Sequence, residues 1–370
     1  MSKMNSIALK KYTLKNDRPF IMASWQTLLT NSDHSYFQSL EWMHAWLTHL
    51  PEHQDLDFWL MTNHNEPLAG LVIGTCSRKF LGVKPLVRAV VQGVGLEEFD
   101  LITPEYTGLV YNDLEQVDFA LWSDTLLNHY HEVLLPYTSP VQSVRWINQK
   151  QAHCLYHEAT YYADLNAFKD GESSFWQSIS KNTKKQLKAS LNAYEKMGSL
   201  KIEAAKDKTQ AKEFLHELGK LSSLKWDSTN KKGAFDQQQF IVFHQNLIDK
   251  SFNNGHLQLL KVTAAEHVIG YLYNFIYQGS VYFYQCGFVY LEQNKFRPGL
   301  VCHYLCMQLN ASKGALNYDF LAGDNRYKQS FATKQENMPT LLLQRNNWYL
   351  KLEKTLILYL KRLKKFQFKR

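Results

Sequence analysis

The chain has 370 residues, of which 45% are hydrophobic, 14% aromatic and 21% charged. That is material for two ordinary cores, and it excludes a disordered chain. The net charge is +8, yet residues 345–370 hold nine Lys or Arg against the single acid Glu353, so the body is neutral and a uniformly basic nucleic-acid binder is excluded.

In chain order, Ile7–Leu14 reads as a short strand, and Phe37–Leu50 as a helix with Leu40, Met43, Leu47 and Leu50 at helical spacing. A hairpin follows: DFWLMTNHNEPLAGLVIG, from Asp57, is two apolar runs around a polar turn. The Gly-rich stretch GVGLEEFD (93–100) reads as strands and loops. Asp113–His131 is expected to be a helix and Val141–Ile147 a strand.

The second half opens on a basic amphipathic helix, Ser173–Met197, stopped by Gly198. Leu200–Ala204 reads as a strand, Ala211–Trp226 as a helix, and Asp236–Phe252 as a helix capped by Asp236, with Gly255 beyond its end. Three strands follow, Leu257–Val262, Val268–Tyr277 and Val281–Phe288. A helix runs from Pro298, in its first turn, to about Lys313, with Gly314 after it. Leu316–Leu321 and Thr340–Gln344 are further strands. The segment LQLLKVTAAEHVIGYLYN, from Leu257, matches the earlier hairpin without gaps: Leu60 meets Leu260, Glu66 meets Glu266 and Gly70 meets Gly270. So long a period suggests duplicated domains rather than a solenoid.

The five cysteines (76, 154, 286, 302 and 306) form no disulfide or zinc pattern, so a reducing compartment and no metal are expected. The N-terminus lacks the apolar segment of a signal peptide, and no run of about 18 apolar residues exists. The expected location is cytoplasmic. The tail 346–370 sets Leu356, Tyr359, Leu360 and Leu363 against lysines, a pattern that suits either an anionic membrane surface or a terminal helix docked on the body.

The order of elements resembles the GNAT acetyltransferase superfamily. More narrowly, it is similar to the cellulose-biosynthesis-associated acetyltransferases, relatives of the peptidoglycan peptidyltransferases. The residues that carry the likeness are SISKNTKKQLKASLNAYEKMG (178–198), VYFYQCGF (281–288) and FRPGLVCHYLCMQLNASKGALNYDFLAGDNRYKQSFATK (296–334). The resemblance implies an α/β (α+β) fold. It would hold two tandem acetyltransferase-like domains with mixed, mainly antiparallel twisted sheets flanked by helices: 1–165, degenerate; 166–345, carrying the motifs; and the tail 346–370. It implies acyl transfer, with acetyl-CoA as default donor, to an amine or hydroxyl of a glycan, lipid-linked or other envelope-related acceptor. An aminoacyl-tRNA-dependent enzyme and a non-catalytic scaffold in polysaccharide biosynthesis are the alternatives.

Thioester acyl transfer needs a held phosphate, a polarised carbonyl and a proton path. For the phosphate, the start of the Pro298 helix offers backbone N–H groups, with Lys295, Arg297, Pro298, Gly299 and Leu300 as candidates; an ordinary helix start with solvated charges is the other reading. The superfamily's loop has two glycines where this chain has Gly299 alone. For the chemistry, Lys328 matches a lysine near the acyl carbonyl in the peptidyltransferases, and Tyr327 flanks it. Asp319 orients Lys328 or Tyr327, positions the acceptor, or forms a structural ion pair. No residue declares itself as base. Tyr284 and Cys286 on the last meander strand, Trp226 before the polar loop DSTNKKGAF, and Tyr106 of the first half are candidate acceptor contacts. The aromatic strands around Tyr271–Tyr277 and Tyr282–Tyr284 suit either sheet packing or a sugar face.

Overall fold

The computed structural model describes residues 7–350 and 352, apart from 31, 53, 55, 81–83, 101, 103, 170, 171 and 228–232. The tail beyond 352 lies outside the described residues. The chain divides into two units: unit 1 is Met1–His34, Leu50–His157 and Met338–Arg370; unit 2 is Ser35–His49 and Glu158–Asn337.

Unit 1 is a meander finished by a crossover. Strands Ile7–Thr13, Leu56–Asn63, Glu66–Phe80 and Lys84–Val91 pair antiparallel in sequence order. Helix Phe119–His129 then carries the chain to Glu132–Leu135, which lies parallel to Lys84–Val91. A parallel pair requires such a crossover. The last strand, residues 341–344, is antiparallel to 132–135 and comes from the far end of the chain. Trp59, Trp122 and Trp146 fill the core.

Unit 2 repeats this plan. Leu200–Ala204, Leu257–Ala264, His267–Tyr277 and Ser280–Phe288 form the meander. Helix Pro298–Ser312 crosses to Asn317–Ala322, parallel to Ser280–Phe288, and residues 160–164 close the sheet antiparallel. The two halves have therefore exchanged closing strands: the strand that follows unit 1's crossover in sequence completes unit 2. The hairpins turn at His64–Asn65 and Ala265–Glu266, one residue out of step with the ungapped pairing of the two segments.

The helix Leu40–His49 belongs to unit 2, although in sequence it stands among unit 1's strands. Tyr36 stacks on Phe275 with centroids 4.3 Å apart, and Glu41 accepts from Asn254 at 2.8 Å and pairs with His256 Nδ1 at 2.8 Å. Ser39 separates this helix from the tight turn Tyr36–Gln38, which the sequence reading had joined to it.

Four other expectations change. Pro140–Ile147 is a helix, not a strand. Its buried side combines Trp146, in the core, with Gln142, whose amide accepts from the Leu109 N–H and donates to the Leu109 carbonyl, while Val141 and Val144 are 64% and 61% exposed. The valines that suggested a strand lie on the outer face, and Trp146 on the inner one. Asp113–His131 is a turn, Leu114–Gln116, then a helix capped by the Asp118 carboxylate. Ser173–Met197 is two helices, with Ser180 capping the second, Lys181–Glu195. Asp236 caps the Ala234 turn by accepting from the Gly233 N–H, and the helix Gln238–Ser251 starts after it.

Candidate functional site

The site grows from the way two parallel strands part. Ser280–Phe288 and Asn317–Ala322 pair only at Ser280–Asn317, Val281–Tyr318 and Tyr282–Asp319. Beyond these, each strand is bent by its own device. On the first, Tyr273 faces Gln285 and Asn274 faces Phe283, so Tyr284 is the extra residue of a bulge. Bulges re-aim side chains and bend strands. On the second, Leu321 has φ 57°, a left-handed conformation that costs a branched residue energy. The Asp319 carboxylate accepts from the Leu321 N–H at 2.8 Å and supports it.

Two cavities flank the gap. One, of about 350 Å³, is lined by Arg297, Pro298, Gly299 and Leu300, and by Arg326 and Tyr327. The first turn of helix Lys181–Glu195 also reaches it, through Asn182 and Thr183. Arg297, at the cap position of the Pro298 helix, makes no side-chain cap, so its side chain satisfies none of the helix's first N–H groups. A Cβ on Gly299 would lie 3.4 Å from Phe288 and 3.6 Å from Tyr327, ordinary contacts. Nothing in the protein demands glycine there, whereas a Cβ on Gly287 would sit 2.5 Å from the Leu218 carbonyl oxygen. The bare backbone at Gly299 is a cradle that a side chain would fill, and with two arginines beside it the site fits a phosphorylated carrier such as coenzyme A.

The second cavity, of about 250 Å³, is lined by Ser222, Tyr284, Cys286, Asn325, Tyr327 and Lys328, among others. Tyr290 and Tyr327 are common to both cavities. Tyr327 stacks on His303 with centroids 4.7 Å apart and its phenol is hydrogen-bonded to the Cys286 thiol. Burial, then the neighbouring Cys286, holds this phenol well above its usual pKa, so it stays protonated. His303 Nδ1 bonds the Tyr318 hydroxyl at 3.0 Å. Burial, aided by the charge of Lys328, brings its pKa down to about 3, so it is neutral.

The structure brings together Arg297, Pro298, Gly299 and Leu300 in one cavity and Tyr284, Cys286, Tyr327 and Lys328 in the other. Lys295 is apart: it is exposed, with Nζ 5.1 Å from the Phe296 ring centroid. Asp319 is buried behind the cavity wall, accepting from Leu321 and from the Thr160 hydroxyl at 3.4 Å. Lys328 lies at the wall, donating to the carbonyls of Leu321 at 3.2 Å and Ala322 at 2.6 Å. Tyr106 belongs to unit 1, with φ 57°. Trp226 is in the last turn of helix Lys208–Asp227, and its side chain lies outside the described residues. Arg326, Tyr290 and the start of helix Lys181–Glu195 escaped the sequence reading. The signal for the last was Ser180, an N-cap residue hidden inside a run read as one helix.

Residues 181–329 match the family model described as an acetyltransferase (GNAT) domain. This segment is a GNAT-type domain. Both cavities lie largely within it. The whole chain is similar in fold to FemX, at 11% identity and a TM-score of 0.57 over 90% of this chain and 98% of that one. It is also similar to the C-terminal domain of a putative lysylphosphatidylglycerol synthetase from Agrobacterium fabrum, at 12% identity and 0.53 over 92% and 95%. A protein of unknown function from Bacteroides thetaiotaomicron gives 10% and 0.53 over 92% and 100%. At these identities the likeness speaks to fold alone. No curated protein sequence matches the chain significantly. Among the described residues, no cluster of His, Cys, Asp and Glu is arranged to hold a metal, and no helix is long and apolar enough to cross a membrane.

Proposed function

We propose that the GNAT segment transfers an acyl group, by default acetyl, from a coenzyme A thioester to an amine or hydroxyl of a cell-envelope or polysaccharide-related acceptor. The observation that carries this reading is the pair of cavities meeting at Tyr290 and Tyr327, one at an uncapped helix start between two arginines and the other beside a buried lysine. Arg297, Arg326 and the N–H groups after Pro298 would hold the donor phosphates. The donor, when bound, supplies the activated acyl group.

Tyr327 is the proton carrier of this reading. Its phenol keeps its proton at neutral pH and sits between donor and acceptor sides, where a departing thiolate needs one. Lys328 and Asp319 act through the turn that aims Tyr327. Lys328 adds positive charge to the wall where an oxyanion would develop. Lys181, Lys184, Lys185 and Lys188, on the helix whose start borders the donor cavity, favour a second reading in which the carrier is a charged tRNA.

A thermal-shift series with acetyl-CoA, coenzyme A and aminoacyl-tRNA tests both. Saturating acetyl-CoA is expected to stabilise the protein by roughly 2–4 kcal/mol. A shift with tRNA alone would transfer the proposal to the second reading, and no shift with any of them would end it.

A further inference from the structure

The acceptor cavity has a composition that narrows its ligand. Among its described lining residues there is no Asp or Glu. The nearby carboxylates are engaged elsewhere: Asp319 with Leu321, Asp324 with the Tyr161 hydroxyl and the Gln329 amide, Asp236 with Ser223 and Gly233. Among the described lining residues, the charged group is the cation of Lys328. Around it stand rings (Phe283, Tyr284, Tyr290) and neutral hydrogen-bonding groups (Ser222, Gln285, Asn325).

We infer that this cavity takes an uncharged, hydroxylated ring of the sugar type, and that the acyl group passes to one of its hydroxyls rather than to a cationic amine. The inference rests on the acyltransferase reading and goes further than it. An ammonium group entering the cavity loses its hydration and meets no carboxylate among the described lining residues to replace it. Aromatic faces alone would also suit a cation, but Lys328 in the same wall repels one. Amides, hydroxyls and flat rings match the two faces of a sugar, polar edge and apolar C–H side. The volume, about 250 Å³, lies below the roughly 300–1,000 Å³ of pockets for drug-sized ligands, which suits a single ring.

The transfer balances on residues already described. The acceptor oxygen bonds to the acyl carbonyl carbon as the thioester carbon–sulfur bond breaks. Tyr327 gives its proton to the departing sulfur and takes the hydroxyl's proton, so the products are an ester and a free thiol.

The test uses the full chain with acetyl-CoA. Methyl glycosides of neutral hexoses are compared with the matching amino sugars by free-thiol release, and products are tested for lability to hydroxylamine. The neutral glycosides are expected to show at least about tenfold higher kcat/KM and to yield hydroxylamine-labile esters. Preference for the amine, or an amide product, overturns the inference. Asn325→Asp, which keeps a good cap residue at its helix start, adds a carboxylate and is expected to move the preference about tenfold towards the amine; an unmoved preference also overturns it. A thermal shift with acetyl-CoA but no turnover of any neutral acceptor sinks this inference alone. Failure to bind any donor sinks the acyltransferase reading with it.

Discussion

Lys328 reaches back across its own turn to donate to the Ala322 carbonyl at 2.6 Å, six residues earlier in the chain. It also donates to the carbonyl of Leu321, whose backbone is left-handed. A lysine expected for chemistry thus also serves as a clasp on the loop that presents Tyr327. Lys328→Met is expected to leave two inner carbonyls without this donor and to lower stability by about 1–3 kcal/mol, read from the denaturant midpoint. Activity is expected to fall with it. An unchanged midpoint with abolished turnover would assign Lys328 to chemistry alone.

Tyr327→Phe keeps the ring stacked on His303 and removes only the hydroxyl. Turnover is expected to drop by about 100-fold, in line with loss of one proton-transfer group. The midpoint of unfolding and the donor KM are expected to stay within about twofold. A fall of less than threefold in kcat would show that the proton travels another way.

The meander strands, the crossover helix and its Pro298 start were legible in the sequence because they rest on local rules: strand-length apolar runs, a proline at the first helical position and glycine after the last. Of the five phosphate candidates read from that one helix start, four came to line one cavity. Lys295 did not, because which way an exposed lysine leans is set by a neighbour, here Phe296. The strand expected at Val141–Ile147 failed since Val141, Val144 and Ile147 face out while Gln142 and Trp146, four apart, face in, and the Gln142 amide is held by a long-range bond with no local trace. Asp319 was visible as an acid in a strand; that it supports a left-handed Leu321 two residues on was not.

Gly299→Ala tests whether the bare helix start serves a ligand. The added methyl meets the protein at ordinary contact distances, so stability is expected to be unchanged. Donor affinity is expected to fall by about 5–10-fold. Arg326→Ala is expected to give a similar loss with a weaker salt dependence of binding, since one phosphate contact is gone. Normal donor binding in both variants would place the phosphates elsewhere.

Acid is expected to destabilise the protein in two stages. His244 and His303 are buried and neutral, with burial bringing each pKa down to about 3. The unfolded chain binds protons at these sites below about pH 6.5, so stability falls as pH drops from there towards 3. Glu132 of unit 1 adds the second stage. Burial pushes its pKa up, but the hydrogen bonds and charges of Arg78 and Arg88 outweigh it and hold it at about 2. Its contribution, about 3 kcal/mol, is complete above the unfolded value near 4.5 and is lost as pH falls towards 2. Glu132→Gln is expected to remove the second stage of a melting-temperature profile and leave the first; an unaltered profile would contradict the assignment.

The closing strand of unit 1 bonds to partners a very long way back in the chain: the Thr340 hydroxyl accepts from the Tyr137 N–H across 203 residues, and the Gln344 amide donates to Glu132 across 212. On the ribosome, the amino-terminal half therefore emerges with an open sheet edge that is sealed only by residues made 203 to 212 positions later. Such distant pairings slow folding, and an unsealed edge invites association while it waits. Deleting residues 338–344 is for this reason an injury to the beginning of the molecule, and expressing residues 1–157 alone would yield a sheet that lacks its final strand.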